Sequence, residues 1–320
     1  MLFSALFILG LVTTQAAVAP NVPTEAAIKV VAGNDVVADL VRAIAGQDVE
    51  LFVLGQGADP HHYEPTPADA KKIESADLVI EFGLGLDRAM GKLHRSTGSK
   101  AKLLVVAEGL AKKGSDAAVT DHADHADHAD HADHDHNHDH GSSAVDPHIW
   151  HDPAQVRILN ERMCAALVAV RPASAESFRS RSLELDTQLV KLDEWIKAQV
   201  LLIPESKRLL VTTHDGLQSF GNRYGFRVVG IEMTSDGADV APSQLIKMVN
   251  ALRETKSAVV FGDAAHHSRI AATVAREANV RLIETLRLDS LLQTPAAEQG
   301  KAYLETMRLN VNTIVKALQD

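Results

Sequence analysis

Short apolar runs alternate with longer amphipathic stretches in both halves of the chain. Eight of these runs are rich in valine, isoleucine and leucine, which is typical of buried strands. They are AIKVVAG, VELFVLG, ADLVIEFG and AKLLVVAEG in the first half, and RLLVTTHDG, RVVGIEM, SAVVFGD and VRLIETL in the second. An alternation of strand and helix patterns predicts mainly parallel sheets that are covered by helices.

Helix patterns occupy the segments between the strand patterns. After the first strand, five apolar residues share one helical face: Val36, Val37, Leu40, Val41 and Ile44. In the TPAD segment, Thr66 is a predicted N-cap and Pro67 a predicted first helical residue. Further helices are predicted at residues 153–170, 216–224, 242–255, 267–278 and 295–318.

One long helical pattern separates the two sets of strands. Residues 173–201 contain few helix breakers, and at about 1.5 Å per residue this helix would span on the order of 40 Å. The predicted fold class is therefore α/β, with two similar lobes that each contain a small, mainly parallel sheet flanked by helices. We predict the N-terminal lobe over residues 24–172, the linking helix over 173–201 and the C-terminal lobe over 205–320.

The first 19 residues have the pattern of an export signal. An apolar run from Leu2 to Val12 leads into the small residues Ala17, Val18 and Ala19, which is typical of a signal peptide with a cleavage site. A short buried helix is the alternative interpretation, and the run is too short to span a bilayer stably. We therefore expect cleavage near Ala19 and a soluble mature protein in the periplasm.

The charge balance and the cysteine content limit which molecules the protein can bind and which side chains can form a metal site. The formal net charge is −10 with neutral histidines, and no Lys/Arg cluster is dense enough to follow a nucleic-acid backbone. Cations are therefore more plausible partners than nucleic acids. Because Cys164 is the only cysteine, the chain can form neither an internal disulfide nor a thiolate cluster. Any metal site must consist of histidine and carboxylate side chains.

Residues 111–145 carry a histidine-rich repeat without apolar periodicity. We predict a disordered insertion, because the repeat contains no apolar residue larger than alanine and so cannot pack on a lobe. Imidazole is a common zinc ligand, and we expect several weak metal sites in this loop. Its histidines are His122, His125, His128, His131, His134, His136, His138 and His140.

Three histidines outside the repeat stand in settings that suit a shared site. His61 follows the second strand, His148 lies where the loop re-enters the fold, and His214 ends a strand. Ligand sites of open parallel sheets gather beyond the carboxyl ends of the strands, so these imidazoles could converge between the lobes. A lone histidine at a strand end is more often a hydrogen-bonded structural residue, but the repeated DPH sequence favours a common role. Neutral imidazoles together with a carboxylate suit zinc.

Four motifs together resemble one family of transport proteins. DPHHYEP, DPHIWHDP, TTHDGLQSFGNRYGF and LRLDS occur in the order and spacing of the zinc/manganese solute-binding proteins of ABC importers, the cluster A-I type. The resemblance covers essentially the whole chain after the leader, including a His-rich loop before the second motif. It implies a periplasmic protein that captures Zn²⁺ and delivers it to an importer permease in the inner membrane.

The resemblance also implies a set of metal ligands. These are His61, His148, His214 and Asp289. Zinc binders of the family typically have histidine at the third position, where manganese binders commonly have glutamate, so the third ligand implies zinc. His62 and His151 stand where the family usually has non-ligand residues, so each could replace its neighbour, and a water could take the fourth position. The cysteine pair that zinc members often carry in the second lobe is absent.

Two other functions compete with metal delivery. A secreted zinc-dependent hydrolase is one alternative, but the sequence lacks the H-E-x-x-H and G-x-S-x-G motifs and offers no identifiable general base. A metal-buffering protein that works through the repeat is the other, but such a protein would not need two folded lobes. We therefore expect a monomeric binding protein rather than an enzyme.

Overall fold

The computed structural model describes residues 26–57, 59–110, 146–231, 241–265, 268–295 and 300–319. The predicted leader and the histidine-rich repeat lie outside these residues. The described chain forms two lobes, each built on a parallel four-stranded sheet. The predicted α/β class is confirmed.

The sheet of the N-terminal lobe contains the four strands that the first half of the sequence predicts. They are β1 (Ile28–Ala32), β2 (Val49–Val53), β3 (Leu78–Glu81) and β4 (Lys102–Val105). Their order is β2-β1-β3-β4, and each neighbouring pair is parallel. Because all four strands run the same way, their carboxyl ends lie at one edge of the sheet.

The helices of this lobe are α1 (Asp35–Ala45), α2 (Pro67–Glu74), α3 (Arg88–Thr97) and α4 (Pro153–Val170). Thr66 caps α2 as predicted, since its side chain and that of Asp69 form a capping box. The sequence pattern did not predict α3. Only Met90 and Gly91 of its 10 residues are buried, so few apolar residues mark its buried face in the sequence.

The long helix α5 (Ala175–Val200) connects the lobes. Its 26 residues span roughly 39 Å at the standard helical rise. The α-helix begins two residues later than predicted because Pro172–Ser174 forms a separate 3-10 turn. Along its length α5 packs against α1 and α4 of the first lobe and against the last helix of the second.

The sheet of the C-terminal lobe repeats the topology of the first. Its strands are β5 (Leu209–Thr212), β6 (Arg227–Gly230), β7 (Val259–Asp263) and β8 (Arg281–Leu286). Their order, β6-β5-β7-β8, matches that of the N-terminal sheet, and all pairs are parallel. The helices are α6 (Gln218–Tyr224), α7 (Pro242–Glu254), α8 (Arg269–Ala278) and α9 (Ala302–Gln319).

The last helix begins later than its predicted start at residue 295. Its N-terminus lies against the other lobe, where the carboxylate of Asp39 on α1 accepts hydrogen bonds from the backbone N–H groups of Gly300 and Tyr303. Gly300 has φ +85°, and a Cβ there would lie 2.8 Å from the backbone of Ala43. The start of α9 is therefore set by a contact with a distant segment, which a local pattern cannot reveal.

One apolar core continues through both lobes. It joins Val30 and Leu78 of the first sheet to Leu210 and Phe261 of the second, and it includes the buried faces of α4, α5 and α9. Smaller apolar clusters lie on the outer faces of the two sheets. Among the described residues, no helix is both long and apolar enough to cross a membrane. The two lobes are thus packed as one body around α5.

Candidate metal centre

The four predicted ligand residues lie at loops that face each other between the lobes. His61 follows β2, His214 follows β5 and Asp289 follows β8. His148 immediately precedes a 3-10 turn at Ile149–His151, which leads into α4. Both sheets therefore contribute the loops at their carboxyl edges, as ligand sites of parallel sheets do.

Short distances separate the polar atoms of these four side chains. His148 Nε2 lies 2.9 Å from Asp289 Oδ1 and 3.2 Å from His61 Nε2. His61 Nε2 lies 3.7 Å from the same Oδ1, and His214 Nε2 lies 3.1 Å from Asp289 Oδ2. Ligand atoms around a tetrahedral zinc ion are roughly 3.3 Å apart, given bond lengths near 2.0 Å. The spacing of the His61, His148 and Asp289 atoms suits three donors around one small ion, and His214 lies beside the second oxygen of the carboxylate.

The four side chains differ in exposure. His148 and Asp289 are buried, whereas the side chains of His61 and His214 remain 29% and 14% exposed. The Nε2 atom of His214 is itself buried and lies 3.1 Å from Asp289 Oδ2. The three imidazoles therefore all face the same carboxylate.

Asp146 fixes the ring of His148 from the side opposite the centre. Its Oδ1 lies 2.7 Å from His148 Nδ1 and accepts the backbone N–H of His148 at 2.9 Å. This arrangement directs Nε2 towards His61 and Asp289, as carboxylate–histidine pairs direct a ring nitrogen in metal sites. Burial lowers the pKa of His148, but the hydrogen bonds to Asp146 and Asp289 outweigh that effect and raise the pKa to about 10.

The carboxylate of Asp289 is held in its charged form. Burial disfavours that charge, yet the hydrogen bond from His148 keeps the pKa of Asp289 well below its usual range. Without a metal ion, both ring nitrogens of His148 face carboxylates, so the imidazole is cationic at neutral pH. The carboxylates of Asp146 and Asp289 therefore stabilise one positive charge, on His148, at the place where the predicted ligand residues meet.

The DPH sequences form similar turns. The carboxylate of Asp59 accepts the backbone N–H of His61 at 2.8 Å, as Asp146 does for His148. These are Asx-type turns, in which an aspartate bonds to the backbone two residues later. His62, the alternative to His61, has a 75% exposed side chain whose Nδ1 lies 2.6 Å from Asp59 Oδ2, and it does not join the cluster.

The other alternative, His151, is also excluded from the cluster. Its ring is buried, and Nε2 donates to the backbone oxygen of Leu288 at 3.1 Å. Burial, and after it the charge of His148, lowers the pKa of His151 to about 4, so the ring is neutral. Among the described residues, the group that brings ligand atoms within 4.8 Å of one another consists of His61, His148 and Asp289. His214 approaches the second oxygen of the carboxylate.

Asp263 is a residue of this region that the sequence analysis missed. It ends β7, and its Oδ2 accepts the backbone N–H groups of Leu288 at 2.5 Å and of Asp289 at 3.3 Å. The register between β7 and β8 shifts between Phe261 and Asp263, and such irregularities often redirect a side chain. The available signal was an aspartate at the end of a buried strand, VVFGD, but its partner lies 25 positions away.

Comparison with known proteins gives the family. The profile described as zinc-uptake complex component A, periplasmic, matches residues 30–317. The chain belongs to this family. It is a metal-binding, solute-binding component of an ABC transporter and not an enzyme.

The names of similar proteins and of similar solved structures mention more than one metal. The manganese-binding lipoprotein MntA of Bacillus subtilis is 29% identical over 298 residues, which cover 91% of this chain and 90% of the relative. The manganese ABC transporter substrate-binding lipoprotein PsaA of Streptococcus anginosus is 28% identical over 292 residues, with coverage of 91% and 89%. Family membership therefore shows that the chain binds a divalent metal ion. Which metal it binds must be inferred from the side chains that would hold the ion.

A solved structure shows the same two-lobed architecture. The periplasmic zinc binding protein TroA from Treponema pallidum matches with a TM-score of 0.73 at 24% identity, covering 91% of this chain and 99% of that chain. At this identity the likeness establishes the fold, including the long helix between the lobes.

Proposed function

We propose that this chain is the zinc-specific, periplasmic binding protein of an ABC importer. In this proposal Zn²⁺ is held by His61, His148, His214 and Asp289 and is then delivered to a permease in the inner membrane. The observation that carries the proposal is the convergence of imidazole nitrogens on one buried carboxylate, with separations of 2.9 to 3.7 Å.

The composition of the donor set supports zinc over manganese. Imidazole nitrogen suits zinc, whereas manganese prefers carboxylate, carbonyl and water oxygens. Three of the four proposed donors are imidazoles, and the single carboxylate is sufficient to complete a tetrahedron. In this proposal the choice between zinc and manganese depends on His214. An oxygen donor at its position would give two nitrogen and two oxygen donors, a set that favours zinc less.

The test compares the two metals in the parent and in a His214→Glu variant. Zinc binds more tightly than manganese at almost any nitrogen/oxygen site, so the informative quantity is the ratio of the two dissociation constants. We expect the preference for zinc to fall by roughly 100-fold in the variant, which corresponds to about 3 kcal/mol of relative binding free energy. An unchanged ratio would contradict the zinc assignment, and His62→Glu, on an exposed side chain, is the matched control.

Export and delivery are part of the same proposal. The leader over residues 1–19 would direct the chain across the inner membrane, with cleavage near Ala19, and the mature protein would act as a monomer. Cell fractionation followed by N-terminal sequencing of the mature protein tests the first point. Zinc uptake by vesicles that contain the permease, measured with and without the zinc-loaded protein, tests delivery.

A further inference from the structure

The peptide group between Leu288 and Asp289 is held at both of its polar ends. Its N–H contacts Oδ2 of Asp263 in the same lobe, at 3.3 Å. Its carbonyl oxygen accepts two hydrogen bonds from the other lobe, from Trp150 Nε1 and His151 Nε2, each at 3.1 Å. With this peptide fixed, the carboxylate of Asp289 moves only by rotation about the N–Cα bond and the side-chain bonds of that residue.

The two donors are themselves firmly packed. Trp150 is buried, stacks edge-on against Phe82 with ring centroids 5.2 Å apart, and accepts a hydrogen bond from Tyr303 through its backbone oxygen at 2.8 Å. His151 is only 1% exposed. The donors therefore cannot follow the Leu288 carbonyl if that loop shifts.

His151 makes an incomplete set of hydrogen bonds for a buried imidazole. Nε2 donates to Leu288, but Nδ1 is buried and has no partner. An apolar ring of similar size would fill the same space without leaving a buried acceptor unsatisfied. The contact that distinguishes histidine from such a ring here is the Nε2 donor.

We infer that Trp150 and His151 are positioning residues that hold the carboxylate of Asp289 against His61 and His148 from the opposite lobe. The inference rests on the proposed function, in which Asp289 is a metal ligand. It divides the centre into a preorganised group of three proposed ligands and a fourth, His214, which lies beside the second oxygen of the carboxylate. Holding a carboxylate in place before the ion arrives reduces the entropy lost on binding.

The test measures zinc affinity by chelator competition for His151→Phe, His151→Gln and Trp150→Phe. Loss of a group that orients a metal ligand typically weakens metal affinity by roughly 10- to 100-fold, and we expect this range for His151→Phe and a similar direction for Trp150→Phe. His151→Gln retains an N–H donor and should recover most of the affinity. Asp39→Asn is the matched control, because it alters another contact between the lobes, at Gly300 and Tyr303.

A double-mutant cycle separates positioning from a general loss of stability. If His151 acts through Asp289, His151→Phe should have no further effect on affinity in an Asp289→Ala background. The visible absorption of bound Co²⁺ gives a second readout, since tetrahedral Co²⁺ absorbs more strongly than five- or six-coordinate Co²⁺. We expect His151→Phe to shift the Co²⁺ spectrum towards that of Asp289→Ala.

The outcomes distinguish this inference from the proposed function. Parent-like affinity and Co²⁺ spectrum in both His151→Phe and Trp150→Phe, with a weakened Asp289→Ala, would overturn the positioning role and leave the ligand set intact. An equal effect of His151→Phe with and without Asp289 would overturn it as well. An Asp289→Ala variant that binds zinc like the parent would refute the proposed ligand set itself. Should His151→Phe fail to fold, Trp150→Phe carries the same comparison.

Discussion

The two lobes fix their proposed ligands in different ways. In the N-terminal lobe, His61 and His148 each follow an aspartate and a proline, and each aspartate accepts the backbone N–H of its histidine. In the C-terminal lobe, Asp289 is held by groups from distant segments, and the Nε2 of His214 faces the carboxylate of Asp289 at 3.1 Å. The first pair depends on local turns, whereas the second pair depends on the completed fold.

This difference predicts that the C-terminal ligands are the more sensitive part of the centre. His214→Ala removes the only imidazole that this lobe contributes to the proposed set. Four ligands together provide about 10–16 kcal/mol in structural zinc sites, so one ligand accounts for about 3 kcal/mol, or roughly 100-fold in affinity. Chelator competition with His214→Ala measures the loss, and His62→Ala is the control. Equal affinity of His214→Ala and the parent would show that the second lobe takes no part through this residue.

Within the N-terminal lobe, the two aspartates offer a sharper comparison. Asp146 contacts both the backbone N–H and the ring of His148, whereas Asp59 contacts the backbone of His61 and the ring of the neighbouring His62. We expect Asp146→Ala to weaken zinc binding by roughly 10- to 100-fold and Asp59→Ala to weaken it less. The same competition titration measures both variants. A larger effect of Asp59→Ala would show that Asp59, and not Asp146, contributes more to orienting the proposed ligands.

The proton on His148 predicts how affinity depends on pH. The pKa of His148 in the metal-free protein is about 10, so the ring is protonated at neutral pH and zinc must displace that proton. Affinity should therefore increase with pH by roughly tenfold per unit between pH 7 and 9.

Calorimetry provides the measurement for this pH dependence. Titrations in two buffers with different ionisation enthalpies should show about one proton released per zinc bound at neutral pH. The Asp146→Ala variant should release less, because His148 then loses a hydrogen bond and a charge that raise its pKa. Binding without proton release at pH 7.5 would contradict a protonated His148.

Deletion of residues 121–140 has the smallest expected effect on the proposed site of His61, His148, His214 and Asp289, which we call the tight site. The histidines of the repeat are predicted to bind zinc weakly, because ordering a chain segment around an ion costs conformational entropy. Deletion should remove these weak sites, leave the tight site nearly unchanged and slow loading when zinc is held by a chelator. A zinc-sensing dye in competition with parent and deletion protein provides the test, and loss of the tight site would show that the repeat itself holds the ion.

The features predictable from sequence are those determined by local physics. Hydrophobic periodicity identified the eight strands and the bounds of α4, and the DPH turns led to two of the four residues that converge. The sequence left the choice between His148 and His151 open, because both lie in one motif and only the fold shows that His151 donates to Leu288. Trp150 and Asp263 could not be predicted, since their partners lie 138 and 25 positions away.

The apolar core that runs through both lobes has a consequence for folding. Tyr303 of α9 and Phe82 of the N-terminal lobe both contact Trp150, and Asp39 on α1 binds the start of α9. The first lobe therefore completes its packing only after residues 302–319 have been added. We expect the two halves to unfold in a single cooperative transition, and separately expressed lobes to expose apolar surface and aggregate. An exported chain of this kind reaches its native state only once its final helix has crossed the membrane.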